Sequence, residues 1–409
     1  VKHADFARVV ALRLRAAHPD VRVSGPSSSW PYPGENWKRW ASTGWERAFI
    51  ERAGDVAGAY DFHFYTKEFW AYGPDSPGHR AELRQPTPNL HASLWTGHHQ
   101  LLDFGKGEAL LDLVQSLHLA KWQRPSPPVI ISEFGRQGIT PQLGPWANDY
   151  GYYLYGTTVT RLWMMFMDRP EITLTVPFIL PVSDAGYGPR RGQALYTRPG
   201  APADMTPQVT PLRDFYGFFR EVEGERVPAS WAGLDPRQAV GVFTVAARRG
   251  DTLFVLLHNA AAEPLAFDLK LPGSASLAGA AVQRMRWEGP VPADHRAPTP
   301  DGARWRRDLA GTETLASSRV ELAGEETALL RLPLAAAPAR QVVVNRHYAP
   351  QVMRPLTDSA PSEFTFTLPS GEKPAGAELV FTFAASVGGR PGQQIALSLN
   401  GVALDARPD

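Results

Sequence analysis

Val129-Ile-Ile-Ser-Glu-Phe-Gly135 is the stretch on which the reading of this chain turns. A short apolar run leads to one carboxylate, and a glycine follows two positions later. Runs of this kind, bounded by turn signals, read as buried parallel strands. The proline-rich segment 124–128 supplies the entry boundary. Glu133 is therefore expected at the carboxyl end of a core strand, where barrel enzymes place catalytic groups. A glutamate is costly to bury there without a partner or a task.

Outward from this strand, helical and strand periods alternate. Helices are expected over residues 3–17, 43–53, 108–122, 149–167 and about 212–222. Strands are expected over 21–26, 59–65, 129–135 and 174–179. In the first helix, Phe6, Val9, Val10 and Leu14 form the expected buried face. Such alternation gives a parallel α/β sheet. Four strand–helix units are half of what a closed (β/α)8 barrel needs. The region between Thr66 and about Asp103 reads as a long loop.

Beyond residue 225 the pattern changes to short strands with polar turns. Residues 240–246 and 252–259 pair around Arg248-Arg-Gly-Asp251, and a β-sandwich is expected over 226–335. The basic run at Arg304–Arg307 reads as a solvated turn, and 335–338 as a linker. A second, incomplete sandwich is expected over 341–409, with strands at 363–368, 378–384 and 394–404. The fold class is thus α/β plus all-β: a half barrel over 1–225 followed by two sandwiches.

The 409 residues include 43% hydrophobic and 20% charged side chains, which is ordinary for a globular protein. A net charge of +1 gives no field to recruit nucleic acid or an anionic membrane. With no cysteine, thiolate catalysis and thiolate metal sites are excluded. Phosphate-loop, dinucleotide and serine-hydrolase motifs are missing from the sequence. His98-His99 does not read as a metal pair, since adjacent residues point apart. No cofactor or metal is expected.

Most of the 12 tryptophans precede residue 170. Trp30, Trp37 and Trp70, with Trp45 and other aromatics, fall in polar, Gly/Pro-rich segments. Such rings form stacking platforms for sugars. A polysaccharide groove needs carboxylates at its centre: in a retaining glycosidase one attacks the anomeric carbon and another protonates the leaving oxygen. Glu133 fits the nucleophile. His63 and Tyr65, alternating on one strand face, would orient it or hold substrate hydroxyls. Asp61 shares that face but lies early in the strand and reads as structural. Arg136 is a candidate substrate ligand, and Asp168 and Arg169 read as capping and ion-pairing residues.

Gly25-Pro-Ser-Ser-Ser-Trp-Pro-Tyr32, Ala59-Tyr-Asp-Phe-His-Phe-Tyr65, Ile131-Ser-Glu-Phe-Gly-Arg136, Met164-Met-Phe-Met-Asp-Arg-Pro170 and Thr175-Val-Pro-Phe-Ile179 stand in a recognisable order. In these motifs the chain resembles glycoside hydrolase family 86, the β-agarases and β-porphyranases. The resemblance implies a retaining barrel with two sandwiches, acting on agar-type galactans. It places Glu133 as nucleophile on the seventh barrel strand, with 21–25, 59–65 and 175–179 as strands five, six and eight. It also implies that strands one to four, and an acid/base glutamate after an asparagine, lie outside this chain; Glu35-Asn36 has the wrong order. The 409 residues alone are then expected to be poorly active. Secretion or a cell-surface location is a further implication. Arg136, Arg190 and Arg191 are candidate donors to a galactan sulfate. Two alternatives stay open: another retaining clan member of β-galactosidase or β-xylosidase type, and a carbohydrate-binding protein without catalysis.

Overall fold

The computed structural model describes residues 2–29, 44–67, 98–137, 149–178, 195–197, 208–234, 241–261, 263–271, 276–290, 299–311, 313–335, 345–352, 354, 360–371, 379–380 and 396–404. Its first part alternates as the periodicity requires: α1 (Lys2–Ala17), β1 (Ser24–Ser29), α2 (Gly44–Ala53), β2 (Ala59–Lys67), α3 (His98–Trp122), β3 (Val129–Gln137), α4 (Asp149–Met167) and β4 (Ile172–Pro177). The four strands form one parallel sheet in sequence order. Helix α3 begins at His98, so the loop expected to reach Asp103 ends earlier. Strand β1 starts three residues later than the β-branched residues at 21–23 implied.

One sheet face is apolar and covered by helices. Tyr60, Phe62 and Phe64 of β2, with Val129, Ile131 and Phe134 of β3, are fully buried there. They meet Phe49 and Ile50 of α2, Leu110, Val114 and Leu117 of α3, and Leu162 and Phe166 of α4. These spacings are the three- and four-residue intervals of one helix face. Helix α1 departs from its expected face. Phe6, Val9 and Leu14 are exposed, whereas Ala4 and Ala11 are buried on the side towards α2. Small side chains let the two helices approach, and an Arg52–Asp5 ion pair of 2.7 Å flanks the contact.

A short pair, β5 (Tyr196–Thr197) with β6 (Gln208–Val209), and helix α5 (Leu212–Phe219) lead into antiparallel structure. The strands β7 (Glu225–Val227), β8 (Val242–Arg249), β9 (Thr252–Asn259), β11 (Ala281–Glu288), β12 (Arg304–Arg307), β13 (Glu313–Thr314) and β15 (Thr327–Pro333) make a seven-stranded sheet. Strands β10 (Leu265–Asp268) and β14 (Arg319–Leu322) pair with each other as a second layer. Val282, Leu330 and Leu332 pack with Val320 and Leu322 between these layers. The β8–β9 hairpin turns at Gly250, whose φ of +59° only glycine adopts freely.

Arg304–Arg307 is a strand, not a solvated turn. Trp305 is buried in the core while Arg304 and Arg306 both reach Glu288. Alternation puts the charges on one face and the indole on the other. In the C-terminal region, residues 363–368 are not in a strand, against expectation. The expected strand-turn motif is present as β16 (Leu397–Leu399) and β17 (Val402–Leu404). Its two central residues, Asn400 and Gly401, have φ of 50° and 81°, the pattern of a type I′ hairpin.

The helical layer is shared. One face of α4 packs β3, with Phe134 against Trp163 and Phe166. Its other face meets the seven-stranded sheet through Tyr150 and Tyr153 on Trp287 and Trp305. A Cβ on Gly156 would lie 2.6 Å from the Trp305 ring, so this helix position needs a glycine. Among the described residues, no helix is long and apolar enough to cross a membrane.

Candidate active site

On β2 the odd positions Asp61, His63 and Tyr65 point away from the helices, as strand alternation dictates. Simple alternation along β3 would aim Glu133 the other way, to the face of Val129 and Ile131. The register shows why it does not. Phe62 pairs with Ile131, but His63 pairs with Glu133, so Ser132 is an extra residue in β3. A bulge of this kind flips every later side chain. Phe134 thereby enters the helix-facing core, and Glu133 joins the face of His63 and Tyr65.

The carboxylate is met from both positions. The Tyr65 hydroxyl donates a hydrogen bond to Glu133 Oε2. His63 Nδ1 lies 3.2 Å from the same oxygen. The Glu133 side chain is 35% exposed and His63 16%, so the pair sits in an accessible recess rather than a sealed core. Oε1 carries neither contact. Tyr65 is itself buried and held edge-on by Phe178, with ring centroids 5.4 Å apart. Phe178 is fixed in turn by its N–H bond to the Phe134 carbonyl. The arrangement presents one oxygen of an oriented carboxylate midway along β3, which pairs on to Gln137 rather than ending at Glu133 as expected.

Asp61 is deeper and differently occupied. It is buried, and the Ser27 hydroxyl donates to its Oδ2 at 2.5 Å. Ser27 is the extra residue of a second bulge, in β1, and has φ of +52°. Sequence reasoning did not single out Ser27; the only available signal was the Gly-Pro-Ser-Ser breaker at 25–28.

The remaining expected site residues divide. Trp30, Trp37 and Trp70 lie outside the described residues. Arg136 pairs through its backbone with Thr66 at the end of β3, and its side chain lies outside the described structure. Trp45 is not in a loop: it is on α2, beside the His3 ring at 5.2 Å. Arg169 is buried at the amino end of β4, bound to Asp112 at 2.9 Å and Glu171 at 3.0 Å. Asp168 pairs with Arg226 and Arg346 there. These two are structural, at the opposite end of the sheet from Glu133. Among the described residues no histidine or carboxylate cluster is arranged to hold a metal ion.

A parallel α/β layer fused to an antiparallel sheet is a fold that solved structures share. BuGH86 in complex with neoagarooctaose matches with a TM-score of 0.60 over 85% of this chain and 50% of that one, at 20% identity. A family 86 β-porphyranase from Bacteroides plebeius matches with a TM-score of 0.59 over 85% and 54%, at 17% identity. A family 51 α-L-arabinofuranosidase from Bifidobacterium longum matches with a TM-score of 0.52 over 81% and 63%, at 12% identity. The resemblance read from the sequence therefore has a counterpart among folds. The chain spans about half the length of the family 86 structures. No family model and no curated protein matches it.

Proposed function

We propose that the chain carries the nucleophile side of a retaining glycoside hydrolase acting on agar-type galactans. The observation that carries this reading is Glu133 itself: aimed by the Ser132 bulge onto the open sheet face and held through Oε2 by Tyr65 and His63. Oε1 would attack the anomeric carbon, forming a glycosyl ester as the leaving oxygen takes a proton. Water would then release the sugar with net retention. Tyr65 and His63 hold the attacking group in line, which saves orientation entropy at the reacting step.

The acid/base must be a second carboxylate about 5.5 Å from the first. Asp61 is a poor candidate, because it is buried and engaged by Ser27. We place the acid/base outside the described residues. The open face of the sheet supports completion into a barrel: Leu174 is 51% exposed there and Val176 40%, apolar surface that a closed barrel would cover. The domain limits 1–225, 226–335 and 341–409 belong to the same reading, as does a secreted or cell-surface location. Agarose and porphyran are both candidate substrates, the galactan class being what the family 86 folds share.

Hydrolysis of neoagarooctaose by this chain joined to the missing barrel strands and acid/base, with and without Glu133→Ala, tests the assignment. Turnover should fall about 10⁴-fold or more. Added azide should partly restore it and give a glycosyl azide of inverted configuration. Undiminished turnover in the variant would remove Glu133 from the chemistry.

A further inference from the structure

The seven-stranded sheet and the end of α5 border an open concavity of about 770 Å³. That volume is within the range of small-molecule sites. None of its lining residues belongs to the Glu133 site. Its floor is Gln283, only 3% exposed, beside the buried Phe254 ring. The Gln283 amide N–H donates to the Leu309 carbonyl, which fixes the amide and turns Oε1 the other way. That oxygen is buried and has no hydrogen-bond partner among the described residues. Buried polar atoms are rarely left so.

Arg331, on the neighbouring strand β15, pairs with Glu221 through its terminal nitrogen, yet its buried Nε has no acceptor among the described residues. Arg249 on the rim is tied to Glu223. Arg220 completes the rim without an ion pair among the described residues. Three guanidiniums against two carboxylates leave the concavity one positive charge in excess. It therefore offers one acceptor, one donor, a spare cation and the apolar Leu309 side chain, the Phe254 ring being covered by the Arg249 guanidinium at 5.3 Å.

We propose that this concavity is a second saccharide site, binding a sugar unit that carries one acidic substituent such as a sulfate ester. A sugar hydroxyl donates to Gln283 Oε1, and a ring or hydroxyl oxygen accepts from Arg331 Nε. The acidic group answers Arg220, a charge-assisted contact stronger than a neutral one. Leu309, an exposed apolar side chain of the lining, faces the C–H side of the ring. The choice of a sugar over other hydroxyl-bearing anions rests on the glycosidase reading above.

Saturation-transfer NMR on the whole chain, with galactose 6-sulfate and galactose as probes, tests the proposal. The sulfated sugar should bind at least about fivefold more tightly than galactose, and less so as salt is raised. Gln283→Leu should weaken it about tenfold. Arg220→Ala, on the exposed rim and harmless to folding, should abolish only the preference for the sulfate. Glu133→Gln should leave the response intact, which separates this site from the one around Glu133. No binding, equal binding of the two sugars, indifference to both groove variants, or loss in Glu133→Gln would each overturn it. The neoagarooctaose turnover test can fail without moving any of these readings, so the two failures are distinguishable.

Discussion

Two clusters in this molecule use the same side chains to opposite ends. Midway along β3, Glu133 is met by Tyr65 and His63. Between α4 and the seven-stranded sheet, Glu325 is met by Tyr153 at 3.2 Å and by Arg161 at 3.6 Å. Arg161 Nε in turn donates to His258 Nε2 at 3.3 Å. His258 Nδ1 lies 3.0 Å from the Thr327 hydroxyl. Arg161 and Glu325 are both 0% exposed, whereas Glu133 is 35% exposed. The inner cluster balances its charge internally and seals it in. The outer one leaves its carboxylate partly exposed. Residue type does not separate a clamp from a candidate reactive centre; a spare acceptor and access do.

That contrast can be broken experimentally, and the largest effect should be on turnover. In a barrel completed with its acid/base, Glu133→Ala should cost four orders of magnitude in hydrolysis, yet move the unfolding free energy by only about 0.5 kcal/mol, as for substitutions outside a packed core. A large stability loss there would make it a clamp after all. Arg161→Met should do the reverse. It strands a buried carboxylate, and chemical denaturation should show a loss of about 3–5 kcal/mol. Pairing it with Glu325→Gln should recover much of that, because the uncompensated charge is gone.

Acid sharpens the comparison further. Burial holds the His258 imidazole well below its usual range, with Arg161 adding to the effect. Burial likewise lowers His118, which shares a 2.6 Å hydrogen bond with Tyr60, to about 4. Both are neutral in the fold and protonate more readily once unfolded. Between about pH 6.5 and 4 the unfolded chain binds more protons, so stability falls as pH falls. His118 alone should contribute a loss of about 3 kcal/mol across that window. Denaturation midpoints measured at pH 7 and pH 4 check this, and His118→Gln should flatten the slope. The smallest effect expected is from Tyr65→Phe. Losing one hydrogen bond to a charged group should lower turnover about 10- to 100-fold, with the Michaelis constant little changed.

Much of this was readable in the chain, and what was not has a local cause. Helices at 149–167 and 108–122 follow from apolar periodicity, and Glu133, His63 and Tyr65 from a strand running into polar positions. Their meeting was expected, but not the device that permits it. The Ser132 bulge leaves no mark in Ile130-Ile-Ser-Glu133, and strict alternation would have turned the carboxylate into the helical core. The Arg161 cluster was missed because its members come together over 172 residues between Tyr153 and Glu325. Arg304–Arg307 was misread because charge density hid a two-residue period around one buried indole. Phe6, Val9 and Leu14 looked like a core face because alanines are discounted, although close helix contact prefers them.

Helix α4 bears on how such a protein could be cut or recombined. A chain divided near residue 225, where the pattern changes, would expose Tyr150, Tyr153 and Gly156 on one product and Trp287 and Trp305 on the other. The point at which the sequence changes character is not a seam between interchangeable parts. A graft of the antiparallel portion onto another scaffold would have to bring its own copy of that helix surface. By the same token, the two portions should have diversified together, and swaps between distant relatives should yield insoluble hybrids unless α4 travels with the sheet.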